Sequence, residues 1–309
     1  MIILGGYTRL SHSGLSIVEW APVSGAIPPM SEVSWDIEFS KYKQSPEYQK
    51  INYGISVDEF KQIFMVEYSH RLLGRIIGLI FLLPLIYFIL TKKISSKDIK
   101  YYIVILTLIA LQGGIGWFMV KSGLINQPNV SQYRLALHLV MACIILILLA
   151  WKMNDGETIK SRHGYWTLFL VLVQITSGAF VAGLKAGLIY NSFPLMNGEF
   201  LPSGLLIMKP WYINLFENVT MVQFMHRLFA IINLINLLAY CYKIFNLDHS
   251  KKIAILLAVM ISLQFILGVI TLLLQAPLIL ALLHQALAII LMITIVISLK
   301  TRNLNVKDL

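Results

Sequence analysis

The chain has 309 residues, of which 58% are hydrophobic and 13% charged, and its mean hydropathy is +0.75. Soluble domains carry roughly 25% charged residues, so this composition excludes a soluble globular protein. The net charge of +10 does not indicate nucleic-acid binding, because the basic residues lie mostly in short loops between apolar stretches, where they set membrane topology.

Apolar stretches long enough to span a bilayer, which takes about 20 residues each, run along the chain. There are seven, at residues 64–90, 101–120, 133–151, 165–184, 218–241, 252–275 and 278–299. They predict an all-α polytopic membrane protein. The two cysteines, Cys143 and Cys241, lie inside these stretches without metal-ligand or redox spacing, so both are predicted to be buried.

The loops between the stretches differ in charge. Assigned alternately to two sides, one side receives 13 basic and five acidic residues, and the other receives nine of each. The positive-inside rule places the first side in the cytoplasm. The longer loops, at 7–63 and 185–217, then face outwards. The first is rich in Trp, Tyr and Pro and is predicted to be a lid or a membrane-surface element.

The chain contains an internal repeat. The aligned segments are VEYSHRLLGRIIG (66–78) with VQFMHRLFAIIN (222–233), RLALHLVMACIIL (134–146) with LALLHQALAIIL (280–291), LQGGIG (111–116) with LQFILG (263–268), and loop 14–29 with loop 187–202. The repeat predicts two tandem pseudo-symmetric four-helix bundles, residues 1–151 and 165–309, joined by a cytoplasmic linker at 152–164. This symmetry predicts that about 15 to 20 residues of the first helix are missing.

Four histidines are predicted to lie at one depth, five to eight residues into spans that start on the outer side: His70, His138, His226 and His284. Ionisable groups inside a span are costly and usually functional. Two imidazoles from facing helices are axial ligands of haem iron, so each unit is predicted to bind one haem. Hydrogen bonding across helices is the simpler alternative, and zinc fits less well because it takes three or four ligands. The remaining histidines, His12, His163 and His249, are predicted to be solvated loop residues.

The two units differ three residues before a histidine, where Glu67 in the first matches Gln223 in the second. Glu67 and His70 share one helix face. A carboxylate there is predicted to take protons or to stabilise positive charge on a reacting carbon, and an ion pair with Arg71 or Arg75 is the structural alternative. The first unit is therefore predicted to carry out chemistry, and the second to hold an electron-transfer haem.

Three arginines lie within or at the mouth of the spans: Arg71, Arg75 and Arg227. Haem carries two propionates whose charge needs a partner in a low-dielectric setting. The arginines are predicted to include propionate partners, and snorkelling to the outer headgroups is the alternative.

The segments GGYTRLSHSGLSIVEWAPVSGAIPP, VEYSHRLLGRIIG, WFMVKSGL, RLALHL, VAGLKAGLIYNSFPLM, QFMHRL and LLHQALA together resemble the haem A synthases over essentially the whole chain. The first outer loop has no cysteine pair, which resembles the branch shared by proteobacteria and mitochondria. The resemblance implies that the C8 methyl group of haem O is oxidised through an alcohol to a formyl group, giving haem A for cytochrome c oxidase.

The resemblance also implies an eight-helix pseudo-two-fold fold and a set of roles. Haem O would lie between His70 and His138, a resident haem b between His226 and His284, and Glu67 would be the essential acid. We expect a bacterial inner membrane with the long loops in the periplasm. We also expect haem O synthase and oxidase assembly factors as partners, an electron acceptor, and a homo-oligomer as a candidate assembly. Two alternatives stay open, a di-haem b-type carrier that exchanges electrons with quinone, and a haem transporter or chaperone.

Overall fold

The computed structural model describes residues 1–124, 128, 130–154, 156–158, 161–246 and 251–301. Within these ranges the chain is almost entirely helical. It divides into two compact units, Met1–Met141 and Ala142–Leu309.

The helices are α1 (Ile2–Leu10), α2 (Glu32–Lys43), α3 (Pro46–Lys50), α4 (Val57–Leu90), α5 (Ser96–Gly123), α6 (Gln132–Met153), α7 (Arg162–Gly183), α8 (Asn214–Glu217), α9 (Val219–Phe245), α10 (Lys251–Leu273) and α11 (Leu278–Ser298). Short 3₁₀ turns cover Ser24–Ala26, Ala186–Leu188 and Trp211–Ile213. Two short strands, β1 (Glu157–Thr158) and β2 (Lys300–Thr301), pair antiparallel.

Seven of the described helices are long and apolar enough to cross a membrane, namely α4, α5, α6, α7, α9, α10 and α11. They coincide with the seven predicted stretches, so the prediction of an all-α polytopic membrane protein is confirmed. Helix α4 begins earlier than the apolar stretch because Ser56 and Glu59 form a capping box. The Ser56 hydroxyl accepts from the Glu59 N–H at 3.2 Å, and the Glu59 carboxylate accepts from the Ser56 N–H at 2.8 Å.

The outer region of unit 1, predicted as one loop at 7–63, contains helices of its own. Ser31 caps α2, and Ser45 caps α3 ahead of Pro46. These helices pack on the outer end of α4 through an aromatic cluster, which consists of Phe39, Tyr42, Phe60, Phe64 and Tyr68. Burying each such ring stabilises the fold by roughly 1.5–3 kcal/mol. The outer region is therefore attached to the helix that carries His70.

In unit 2, helices α7, α9, α10 and α11 form a bundle in which each packs on the next and α11 packs back on α7. Polar contacts cross between these helices. The Tyr240 hydroxyl lies 3.0 Å from the Ser298 hydroxyl, and the Asn233 amide donates to the Leu170 carbonyl at 3.2 Å. Such bonds are worth about 0.6 kcal/mol each in a membrane, so the bundle depends mainly on apolar packing.

The remaining histidines of the chain are His12, His163 and His249. His163 was predicted to lie in a loop, and that was wrong, because Ser161 caps α7 and places His163 in its first turn. Its ring packs edge-on against Tyr240 with the centroids 5.5 Å apart. His12 follows the end of α1 with a φ of 53°, and His249 lies outside the described residues. Cys143 and Cys241 are buried free thiols, as predicted.

Candidate functional site

The four histidines predicted to bind haem lie on four different membrane-spanning helices. His70 is on α4, His138 on α6, His226 on α9 and His284 on α11, and all four side chains are half-buried. The imidazoles of His70 and His138 are close enough to interact electrostatically, and so are those of His226 and His284. The structure thus brings the histidines together in the two predicted pairs.

Each imidazole packs against a glycine of a neighbouring helix. The distance from the position of a glycine Cβ to the nearest ring atom is 2.9 Å for Gly5 of α1 and His70, 3.1 Å for Gly116 of α5 and His138, 3.3 Å for Gly178 of α7 and His226, and 2.8 Å for Gly268 of α10 and His284. A side chain at any of these glycines would occupy space that the ring uses.

A glutamine lies one helical turn before three of these glycines. The side-chain amide donates to the backbone carbonyl of the histidine, over 3.0 Å from Gln112 to His138, 3.2 Å from Gln174 to His226 and 3.1 Å from Gln264 to His284. The Ser177 hydroxyl also lies 2.6 Å from Nδ1 of His226. In three of the four histidines, the backbone carbonyl is therefore hydrogen-bonded to a glutamine of the neighbouring helix.

Glu67 is buried on the same face of α4 as His70, with 2% of its surface exposed. Its Oε1 accepts from Arg71 Nε at 3.0 Å and from Nη2 at 2.6 Å. Its Oε2 accepts from the Ser16 hydroxyl at 2.8 Å and from the Ile17 N–H at 2.9 Å. The predicted alternative of an ion pair with Arg71 is thus present in the structure, and the carboxylate also bonds a loop.

That loop, residues 16–26, which we call the outer segment, is held along α4 by further donors. Arg71 donates to the carbonyls of Ile17 and Glu19 at 3.0 and 3.1 Å. Arg75 donates to those of Ala21 and Pro22, both at 3.0 Å. The Tyr68 hydroxyl donates to the Ala26 carbonyl at 2.7 Å. One face of α4 therefore fixes both the acid and the outer segment.

Unit 2 repeats part of this arrangement. Arg227, which matches Arg71, donates to the carbonyls of Tyr190 and Ser192 at 2.7 and 2.8 Å, and these match Ile17 and Glu19 in the aligned loops. Gln223 stands where Glu67 stands in unit 1 and donates to the Tyr190 carbonyl at 3.1 Å. The change from acid to amide replaces an accepted hydrogen bond by a donated one.

Comparison with known proteins identifies the family. The sequence profile described as COX15-CtaA, cytochrome oxidase assembly protein, matches residues 1–296. The chain belongs to this family of cytochrome oxidase assembly proteins. A protein of Rhizobium johnstonii named "Heme A synthase" is 48% identical over 94% of this chain and 82% of its own length. Proteins with the same name from Wolbachia pipientis wMel and Nitrosospira multiformis are 47% and 46% identical, each over 94% of this chain and 85% and 86% of their own lengths.

The resemblance seen in the sequence motifs is thereby confirmed, because relatives named "Heme A synthase" match this chain over most of their length. No solved structure matches the chain.

Sequence reasoning found the histidines, Glu67 and the arginines but missed the glutamine and glycine contacts. The aligned LQGGIG and LQFILG contained Gln112, Gly116, Gln264 and Gly268, which served only as evidence for the repeat. A third copy, VQITSG at 173–178, was not noticed. The recurrence of Gln and Gly four residues apart in three apolar stretches could have indicated these contacts.

Proposed function

We propose that this chain oxidises the C8 methyl group of haem O, through an alcohol, to the formyl group of haem A for cytochrome c oxidase. The observation that carries the proposal is the asymmetry between the units. Both bring a histidine pair together, but the first has the buried Glu67 one helical turn before its histidine, whereas the second has Gln223 there. Membership of the family and the name of the relatives support the same reaction.

In the first unit, the proposed substrate site places the iron of haem O between His70 and His138. Two imidazole ligands would leave no iron position for oxygen, so two electrons would leave through the porphyrin ring to an external electron acceptor while water adds its oxygen to the methyl carbon and two protons are released. The role of Glu67 is to take a proton or to stabilise positive charge at the methyl carbon. Its ion pair with Arg71 keeps the carboxylate in a fixed direction.

In the second unit, we propose that His226 and His284 hold a resident haem b. The glycines of α7 and α10 let these two rings pack directly against the neighbouring helices. Gln174 Oε1, Gln264 Oε1 and Arg227 Nε are buried without a hydrogen-bond partner in the part of the chain that the structure describes, so polar capacity remains for a ligand. When bound, haem b would supply one-electron transfer, and the chain's own part is to hold the two imidazoles.

The structure favours two of the three arginines as propionate partners. Arg75 Nη1 and Arg227 Nε are buried and have no partner among the described residues. Arg71 donates four hydrogen bonds, two to Glu67 and two to the outer segment. We therefore propose Arg75 for the substrate and Arg227 for haem b, with Arg71 positioning Glu67.

The proposed location is a bacterial inner membrane. The positive-inside rule then places the basic loops in the cytoplasm and the outer segment in the periplasm. The proposed partners are the enzyme that supplies haem O, the oxidase assembly factors that receive haem A, and an electron acceptor.

The test is to express the full chain in a membrane that makes haem O but lacks any other haem A synthase, and then to extract and chromatograph the pigments. Haem A or its alcohol intermediate is expected, and an empty vector should yield neither. Haem b as the sole pigment of the purified chain would favour the alternative, a di-haem electron carrier.

A further inference from the structure

The glycines next to the histidines are placed where an imidazole needs room. On α5, no described atom lies within 4 Å of a Cβ built on Gly113 or Gly114, whereas a Cβ on Gly116 would lie 3.1 Å from Cε1 of His138. On α10, a Cβ on Gly268 would lie 2.8 Å from Cε1 of His284. A helical glycine is about 1 kcal/mol less favourable than alanine, and at these positions the space that it leaves to the ring offsets that cost.

The glutamines act on the backbone of the same histidines. Gln174 and Gln264 donate to the histidine carbonyls at 3.2 and 3.1 Å. A carbonyl inside a helix already accepts from the N–H four residues later, so this second bond does not serve the helix itself. It joins the helix that carries the histidine to its neighbour, and so fixes the height and rotation of the imidazole.

The same amides also reach the rings. Gln174 Nε2 lies 3.2 Å from Nδ1 and 3.4 Å from Nε2 of His226, whose Nδ1 is also 2.6 Å from the Ser177 hydroxyl. Gln264 Nε2 lies 3.2 Å from Nδ1 and 3.4 Å from Nε2 of His284, and Gln112 Nε2 lies 3.4 Å from Nε2 of His138. A histidine that binds a metal through one ring nitrogen is oriented by the hydrogen bond of the other. The amide is therefore positioned to orient the ring as well as the backbone.

We infer that the glutamine and glycine four residues apart form the positioning element of the histidines, with the glycine leaving space for the ring and the amide orienting it. The inference rests on the proposed histidine ligands. It predicts that Gln264 and Gly268 set the affinity for haem b and the relative angle of its two axial imidazole planes.

The element is incomplete at one histidine. Helix α1 supplies Gly5 to His70, but the position four residues earlier is Met1, and no glutamine is hydrogen-bonded to His70 in the described part of the structure. His70 therefore lacks the glutamine bond that His138, His226 and His284 accept. This agrees with the proposal that unit 1 binds a substrate, which must enter and leave. Both histidines proposed to hold the resident haem, His226 and His284, accept a hydrogen bond from a glutamine.

The experiment compares Gly268→Ala and Gln264→Leu with wild type in the full chain purified with its haem b. The readouts are haem b per polypeptide during titration with haem b, and the g-values of the low-spin ferric signal, which report the angle between the imidazole planes. We expect the affinity for haem b to fall on the order of 10–100-fold, the range for residues that position metal ligands, and the g-values to shift. Gly113→Ala, the same substitution in open space, should leave both readouts at wild-type values.

His284→Ala separates the inference from the proposal on which it rests. If His284→Ala loses haem b while Gly268→Ala and Gln264→Leu retain wild-type affinity and g-values, the positioning role is wrong and the ligand set stands. If His284→Ala also retains haem b with an unchanged signal, the ligand set is wrong and the inference with it. Size-exclusion profiles monitor folding. Should Gly268→Ala not fold, Gln264→Leu decides the question, because it adds no atom to the space of the ring.

Discussion

At the scale of single residues, Glu67 is the side chain whose bonding differs most between the repeats. Its carboxylate accepts from Arg71, Ser16 and Ile17, whereas Gln223 at the matching position donates to the Tyr190 carbonyl. The acid therefore couples the helix of His70 to the outer segment through a charge. An amide cannot reproduce the ion pair.

Replacing Glu67 by Gln should abolish most haem A formation while both haem sites stay occupied. The variant keeps the size of the side chain but removes the charge that would accept a proton or stabilise a cation, an effect on the order of 10²–10⁴-fold in rate. Extracted haem A per bound haem b measures it. Glu59→Gln, the same substitution in an exposed cap on the same helix, is the control and should form haem A normally. Full haem A formation by Glu67→Gln would remove the proposed role.

The histidines, the arginines and Glu67 could be predicted from the sequence because ionisable groups are rare and costly in apolar spans. The roles of Gln264 and Gly268 could not, because neutral polar and small residues are common in membrane helices and serve helix packing in general. The role that we propose for them rests on their distances to the imidazoles.

At the scale of elements, the outer region of unit 1 contains a buried acid that does not belong to the site. Glu47 of α3 is 3% exposed, next to the Tyr42 hydroxyl at 3.5 Å. Burial, together with the charge of Glu67, raises the pKa of Glu47 to about 8. Helices α2 and α3 were not predicted, because their apolar residues serve a small cluster on α4 and form no long hydrophobic stretch.

The raised pKa of Glu47 predicts that the outer helices become less stable as the pH rises from about 4.5 to about 8. Over that window the folded state holds a proton that the unfolded state has released, so the free energy of unfolding falls with pH. Hydrogen-exchange protection factors of residues 32–50, corrected for intrinsic rate, should drop by at most about tenfold per pH unit. In Glu47→Gln the protection factors should not change with pH over this window. The same pH dependence in both proteins would contradict the assignment of the effect to Glu47.

At the scale of the whole molecule, the spans of the two units are packed to different extents. Of an apolar 18-residue stretch in each helix, 6% is buried in α4 and α5, 11% in α6, which runs from unit 1 into unit 2, and 22–33% in α7, α9, α10 and α11. Hydropathy alone predicted all seven spans, but it reports only that a helix prefers lipid to water. It does not report how tightly the helices pack.

The looser helices of unit 1 should gain the most from a ligand. Without haem O, amides of α4 and α5 should exchange faster than those of α9 and α11. Saturation with haem O at about 100 times its dissociation constant should slow the global opening of unit 1 by about 100-fold. Hydrogen exchange with mass spectrometry measures both, with His138→Ala as the variant that should show no slowing. Equal exchange in both units before addition of haem O would contradict this prediction.

The attachment of the outer segment to α4 has a consequence for the order of events in catalysis. A porphyrin bound as proposed at His70 would lie beside a segment tied to the same helix through Glu67, Tyr68, Arg71 and Arg75. If the porphyrin leaves past that segment, several of these bonds would have to open together, and escape would be slow compared with the loss of a single contact. A half-oxidised alcohol would then stay for its second oxidation, so the reaction would be processive and release the aldehyde as its main product.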